Sequence, residues 1–258
     1  MREKLKMNLI VLLLCILINN IGRVLLSTDK NDCTHYKRNV WDDINTDQRL
    51  FVNCFGKDVE SSRADLIVML DRSGSMWKSS LVDGVTMTGY QIAKKFIKDL
   101  LSEVKISFNA TRIAVITFGS QAKIDIDFII NPIPNNNKCE FDKLYKKLPP
   151  VGGGTNMAEA VKKGFDILSS NFGRSKVNQV GILLSDGYPN NPTKVTYEVK
   201  KFQAMSAILY TVAVEGADKD AMSKWASNRN DVKNPPTALH ANTFQDMATL
   251  ANNIRGGK

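Results

Sequence analysis

The sequence is poor in the residues on which many hydrolases and zinc proteins depend. It has only two histidines, His35 and His240, and neither has a convincing partner for activating a serine nucleophile. Its four cysteines match no zinc-site spacing, and no Gly-Lys-Ser/Thr phosphate loop is present. These absences disfavour a serine hydrolase, a zinc protein and a P-loop nucleotide-binding protein.

The positive net charge of +9 does not form a nucleic-acid-binding pattern. Lysines come in pairs such as Lys94-Lys95 and Lys200-Lys201, which is typical of solvated helix faces. No aromatic residues interleave with them, as a base-stacking surface would require. We therefore expect no nucleic-acid partner; weak attraction to anionic glycans or lipids is the alternative.

The N-terminus has the pattern of a secretory signal. Three basic residues precede the apolar stretch Leu9–Ile18, which is shorter than the roughly 20 residues of a membrane-spanning helix. We predict that residues 1–27 are a signal peptide and that the protein is secreted to the extracellular space. The alternative is a retained signal anchor, which would place the protein on a membrane. We predict that residues 28–62 are an irregular N-terminal extension and that residues 63–256 are the folded domain.

Three cysteines lie outside the predicted signal: Cys33, Cys54 and Cys139. Secretion permits disulfides, and an odd number leaves one cysteine over. Cys33 with Cys54 is the simplest pair, which would leave Cys139 free or bonded to another chain in a disulfide-linked oligomer; Cys139 paired with either of the others is also open. Asn109 begins the sequon Asn109-Ala110-Thr111 and is the predicted glycosylation site.

Short apolar runs rich in Leu, Ile and Val predict buried strands of a parallel sheet. The runs are Asp65–Leu70, Arg112–Phe118, Val180–Leu184 and Ile208–Val214, with a last short strand near Ala238–Ala241. Ala122–Ile129 alternates polar and apolar residues instead, which predicts a half-exposed antiparallel edge strand.

Amphipathic segments separate these strands and predict helices. Asn156 with Glu159, and Asn191 followed by proline, mark two helix starts, and Thr243 a third. Strand and helix in alternation predict an α/β fold, a doubly wound, mostly parallel sheet with one antiparallel edge strand and helices on both faces. Such sheets bind ligands at the carboxyl ends of their strands.

Oxygen-bearing side chains follow two of the predicted strands and precede one helix. Asp71-Arg72-Ser73-Gly74-Ser75 ends the first strand, Ser185-Asp186-Gly187 ends another, and Gly152-Gly153-Gly154-Thr155 precedes a helix. If the three loops meet, they bring together five oxygen donors: Asp71, Ser73, Ser75, Thr155 and Asp186.

A hard divalent cation suits this set of donors. Two converging carboxylates would repel one another without a cation. Oxygen ligands with few charges and room for water suit Mg²⁺, with Mn²⁺ or Ca²⁺ as alternatives. For the first motif alone, a solvent turn with a helix cap is an equally good reading; the three loops together favour a metal site.

These three motifs, in this order and spacing, resemble the metal-ion-dependent adhesion site of von Willebrand factor type A domains. The resemblance covers about residues 63–256 and implies that domain's Rossmann-like fold. It also implies that Ser73, Ser75 and Thr155 are hydroxyl ligands and that Asp71 and Asp186 are the charged members of the site.

The resemblance implies a function in adhesion rather than catalysis. An extracellular partner would complete the metal's coordination with an exposed Glu or Asp. The partner-binding rim would comprise Met76, Trp77, Gly153, Gly154 and Tyr188. A matrix module without a metal-dependent ligand is the first alternative. The other, a phosphotransferase with Asp71 as nucleophile, would normally need a second aspartate two residues on, where this chain has Ser73.

Overall fold

The computed structural model describes residues 63–101, 104, 106, 110–128, 138–170, 173–174, 176–227 and 237–249. The predicted signal peptide, the N-terminal extension with Cys33 and Cys54, and the sequon residue Asn109 lie outside this part of the chain. Cys139 belongs to a helix, and the disulfide pairing stays a prediction. In the described ranges, no helix has both the length and the apolar character needed to cross a membrane.

Strands and helices alternate along most of the described chain. The strands are β1 (Ala64–Asp71), β2 (Ser79–Val82), β3 (Val85–Thr88), β4 (Thr111–Phe118), β5 (Ala122–Ile126), β6 (Asn178–Ser185), β7 (Ile208–Val214) and β8 (Ala238–Ala241). The helices are α1 (Gly89–Leu100), α2 (Lys138–Lys146), α3 (Met157–Ser169), α4 (Pro192–Ala204), α5 (Lys219–Trp225) and α6 (residues 244–249).

Six strands form one sheet in the order β5-β4-β1-β6-β7-β8. All neighbours in it are parallel except β5, which pairs antiparallel with β4 at the edge. The predicted fold class, including the antiparallel edge strand, is confirmed. Since the parallel strands run the same way, the loops after β1 and β6 leave the sheet at the same edge.

Strand β1 shows why the sequences of the central strands are apolar at nearly every position. Leu66, Val68 and Leu70 point into one core cluster, with α1, α2 and α6. Ile67 and Met69 point into the other, with α3, α4 and α5. Because successive side chains of a strand face opposite sides of the sheet, a sheet covered on both faces needs apolar residues at every position.

Side-chain caps place two helix starts where the sequence predicts them. Asn156 accepts a hydrogen bond from the Glu159 N–H, and Asn191 accepts one from the Lys194 N–H at 2.9 Å. Helix α3 therefore begins two residues after Thr155 and directs its N-terminus, the positive end of the helix dipole, toward this edge of the sheet.

A β-hairpin between the first motif and α1 is absent from the prediction. Strands β2 and β3 pair antiparallel around a two-residue turn, in which Asp83 and Gly84 have φ angles of 52° and 78°. An Asp-Gly pair is the turn signal that should have identified it. Each flanking run has only four residues, half of them polar, so the hydrophobic pattern is too short to predict a strand.

Candidate metal centre

The carboxylate of Asp71 is fixed by two donors at the end of β1. Its Oδ1 accepts the Ser73 N–H at 2.7 Å, and its Oδ2 accepts the Ser185 hydroxyl at 2.5 Å. Asp71 and Ser185 are fully buried. Both oxygens of Asp71 are therefore held by the protein, and the adjoining strands β1 and β6 are joined at the point where they end.

The two serines of the first motif lead from Asp71 to Asp186. The hydroxyls of Ser73 and Ser75 are 3.0 Å apart, and the Ser75 hydroxyl donates to Oδ1 of Asp186 at 2.7 Å. The motif turns tightly here, because Gly74–Trp77 forms a single 3-10 turn. The structure thus brings the first and third motifs into direct contact.

Thr155 faces the same space from the second motif. A Cβ added at Gly187 would lie 3.5 Å from the Ser75 Oγ and 3.8 Å from the Thr155 Oγ1. Asn190 fixes the backbone of Thr155 on both sides: its side-chain oxygen accepts the Thr155 N–H at 3.1 Å, and its own N–H donates to the Thr155 carbonyl at 3.0 Å. All five predicted oxygen donors are therefore brought together.

Glycines let the second motif approach the first. The Gly74 N–H donates to the Gly153 carbonyl at 3.0 Å. Gly153 has a φ of +89°, and a Cβ there would lie only 2.5 Å from the Ser120 Oγ. The Ser120 hydroxyl in turn accepts the Gly154 N–H at 2.9 Å. A residue with a side chain at position 153 would push these loops apart.

Burial raises the pKa of both carboxyl groups. For Asp71 the pKa rises from 3.8 to about 6, chiefly through desolvation; hydrogen bonds from Ser185 and Ser73 oppose the rise, and Asp186 adds to it. Desolvation also raises the pKa of Asp186, against the hydrogen bond from Ser75. The metal-free site therefore disfavours two negative charges.

Asp65 is a buried acid at the other end of β1, and arginines neutralise its charge. Asp65 forms ion pairs with Arg112 at 2.5 Å and Arg174 at 2.7 Å. In the described ranges, no lysine or arginine forms an ion pair with Asp71 or Asp186. Among the described residues, therefore, no basic side chain is bonded to either buried acid of the site edge.

The predicted rim residues differ in exposure. Trp77 and Tyr188 are 64% and 69% exposed. The prediction that Met76 lies on the rim is wrong, because its side chain is fully buried in the core; the 3-10 turn directs it inward while its neighbour Trp77 faces solvent. Gly153 is exposed, and Gly154 is half-buried against Asn190.

Three residues that support the site are missing from the prediction. Ser185 stands beside Asp186 in the third motif, so its role as a donor to Asp71 had a signal in the sequence. Ser120 and Asn190 had none, because each lies in a polar loop and acts only through contacts with the second motif.

The donor set fits a hard divalent cation. Two carboxylates and three hydroxyls offer only oxygen, which is the preference of Mg²⁺, Mn²⁺ and Ca²⁺. In the part of the chain that the structure describes, no group of three or more His, Cys, Asp or Glu residues could hold a metal ion; the candidate site has two aspartates and relies on hydroxyls for its other oxygens.

Known proteins similar to this chain include large multidomain proteins. The rat "Sushi, von Willebrand factor type A, EGF and pentraxin domain-containing protein 1" is 24% identical over 204 residues, covering 74% of this chain and 5% of that protein. The mouse collagen alpha-5(VI) chain is 24% identical over 207 residues, covering 78% and 7%. The chain therefore spans only a small part of these relatives.

Solved structures share the fold. The mussel byssus proximal thread matrix protein 1, with zinc in its MIDAS motif, has a TM-score of 0.58 and 20% identity, covering 75% of this chain and 45% of its own. Manganese-loaded Plasmodium vivax TRAP has a TM-score of 0.58 and 18% identity, covering 75% and 74%. The model of the von Willebrand factor type A domain matches residues 65–253, and the chain belongs to that family.

Proposed function

We propose that the chain is a secreted, metal-dependent adhesion module. In this proposal Asp71, Ser73, Ser75, Thr155 and Asp186 hold one divalent cation, with Mg²⁺ as the natural ion. The observation that supports it best is the pair of buried acids at the site edge, which have hydrogen-bond donors but, among the described residues, no basic side chain bonded to them. A buried charge without a partner is costly, and a cation removes that cost.

The chain's own residues have distinct roles in this proposal. The hydroxyls of Ser73, Ser75 and Thr155 are neutral oxygen ligands, and the two aspartates supply a charge of −2. Because both oxygens of Asp71 already accept hydrogen bonds, we expect Asp71 to act on the cation through water. The nearby N-terminus of α3 adds a positive potential that favours an anion at the rim.

The bound cation would accept one further oxygen from outside the protein. With two protein charges balanced by a divalent ion, the remaining coordination position suits a carboxylate. We therefore propose a partner protein that presents an exposed Glu or Asp, with Trp77 and Tyr188 contacting the residues around that acid. The relatives are named for collagen and for extracellular domain types, which supports an extracellular partner.

Phosphotransferase chemistry is less well supported. The residue two positions after Asp71 is Ser73, whose N–H donates to Asp71, so no carboxyl group stands there to act as an acid or base. The lack of a carboxyl group at this position favours binding over phosphoryl transfer.

Binding of purified extracellular matrix proteins to the immobilised protein tests the proposal. Binding in Mg²⁺ should disappear in EDTA and in Asp71→Ala. It should persist in Asp166→Ala, which removes an exposed acid of α3 paired with Lys162. Binding that is equal in Mg²⁺, in EDTA and in Asp71→Ala would favour a structural module without a metal-dependent ligand.

A further inference from the structure

An ion pair stands on the rim of the candidate site. Nζ of Lys78 lies 3.0 Å from Oε1 of Glu215, and the two side chains are 58% and 34% exposed. Lys78 directly follows the 3-10 turn of the first motif, and its N–H donates to the Ser75 carbonyl at 3.1 Å. Glu215 directly follows β7. The pair therefore joins the first motif to a fourth loop, which the sequence analysis did not include in the site.

The backbone at Glu215 is held in an unusual conformation beside Asp186. Glu215 has a φ of 50°, which is uncommon for a residue other than glycine. Its N–H donates to the Ala241 carbonyl at 2.9 Å. A Cβ at the next residue, Gly216, would lie 3.2 Å from the Asp186 carbonyl oxygen. This packing holds the backbone of the Glu215 loop beside the third motif.

Both charges of the pair act on the site. The positive charge of Lys78 lies beside the first motif, and the negative charge of Glu215 lies in the loop that packs against Asp186. Lys78 therefore disfavours a cation at the site and favours an anion, and Glu215 does the reverse. The two residues are oppositely charged neighbours of the position at which an acidic partner would arrive.

We propose that Lys78 is a contact for the acidic segment of the partner, and that Glu215 is an internal competitor for the same lysine. This inference rests on the proposed function and extends it to partner selectivity. A partner's carboxylate must draw Lys78 away from Glu215, so Lys78 strengthens the binding of an acidic segment and Glu215 weakens it.

The affinities for Mn²⁺ and for an acidic peptide distinguish this role from an ion pair that only holds two loops together. Lys78→Gln should strengthen Mn²⁺ binding and weaken binding of an acidic peptide, and Glu215→Gln should do the reverse. Each shift should be about two- to fivefold at low salt and smaller at high salt, because the groups are exposed. If the ion pair only held the two loops together, both affinities would change in the same direction in both variants.

Mn²⁺ alone and two blocked tripeptides, Gly-Glu-Gly and Gly-Gln-Gly, are suitable probes. Mn²⁺ binding and the displacement of its water by the peptide can be followed by water-proton relaxation. Lys162→Gln, which removes an ion pair on α3, is the matched control and should change neither affinity. Thermal unfolding checks that each variant is folded.

The outcomes separate the two proposals. Wild-type protein that binds no Mn²⁺, or that binds Mn²⁺ but does not prefer the glutamate peptide, overturns both. Wild-type protein that shows both activities, with shifts of the same sign in Lys78→Gln and Glu215→Gln, overturns only the role of the rim pair. Opposite shifts in the stated directions support it.

Discussion

The Ser75 hydroxyl donates a 2.7 Å hydrogen bond to the Asp186 carboxylate, across 111 positions of sequence. This bond joins the loop after β1 to the loop after β6. It makes Ser75 both an oxygen donor of the candidate site and the residue that orients its second acid.

Ser75→Ala should therefore weaken Mg²⁺ binding more than the loss of one neutral ligand would. The substitution removes a hydroxyl and leaves Asp186 without this donor. We expect at least a tenfold loss of affinity, which corresponds to about 1.4 kcal/mol. Calorimetric titration with Mg²⁺ measures it. Ser223→Ala, on the exposed side of α5, is the control and should bind as the wild type does; equal affinity in Ser75→Ala would exclude Ser75 as a ligand.

Gly153→Ala should destabilise the fold as well as the site. The φ of +89° strains any other residue, and the added Cβ would lie 2.8 Å from the Ser120 backbone nitrogen. We expect a loss of about 2 kcal/mol or more in the free energy of unfolding, measured with urea. Gly84→Ala is matched in φ, at +78°, but has nothing within 4 Å of its Cβ, so it should lose only about 1 kcal/mol. Equal losses would mean that packing against Ser120 is unimportant.

Met76 is buried and its neighbour Trp77 is exposed. Substitution of the two residues should therefore have very different effects on stability. Met76→Ala removes a fully buried side chain and should cost about 2–5 kcal/mol of unfolding free energy. Trp77→Ala removes an exposed one and should change stability by less than about 0.5 kcal/mol. Urea denaturation of both variants checks this. A large loss of stability in Trp77→Ala would show that its ring packs in solution.

The fold was predictable because its signals are local and redundant. Continuous apolar runs such as Ile208–Val214 identify strands that are buried on both faces, and Asn156 and Asn191 mark the helix starts by their own chemistry. The hairpin β2–β3 was missed because its strands have only four residues each, which is too short for a clear pattern, although the turn residues Asp83 and Gly84 were visible.

The sequence predicted those residues of the candidate site that lie in compact motifs, but not those that separate loops contribute. Asp71, Ser73 and Ser75 share one loop, so their convergence follows from spacing. Glu215 and Asn190 contribute through contacts that depend on how separate loops pack, and no local pattern encodes that. Met76 was misplaced for a similar reason, since one turn of 3-10 helix decides which of two adjacent side chains faces the core.

Stability of the metal-free protein should depend on pH through Asp71. Burial raises its pKa from 3.8 to about 6 in the folded state, so the folded chain binds this proton more tightly than the unfolded chain. The resulting stabilisation is fully present below pH 3.8 and is lost as the pH rises through about 6. Its size is up to about 3 kcal/mol.

Urea unfolding in EDTA at several pH values between these limits measures the effect. The wild type should lose stability from this group as the pH rises, and Asp71→Asn should lack that contribution. Asp166→Asn should keep the wild-type dependence. A wild-type profile that matches Asp71→Asn would show that the buried carboxyl does not titrate in this range.

Calorimetric titration of Mg²⁺ into the folded wild-type protein and into Asp186→Asn tests the central claim most directly. The account predicts one Mg²⁺ per wild-type chain, with binding at least tenfold weaker in Asp186→Asn and unchanged in Asp166→Asn. Folded wild-type protein that binds none of Mg²⁺, Mn²⁺ and Ca²⁺, or that binds them equally well after Asp186→Asn, would contradict it.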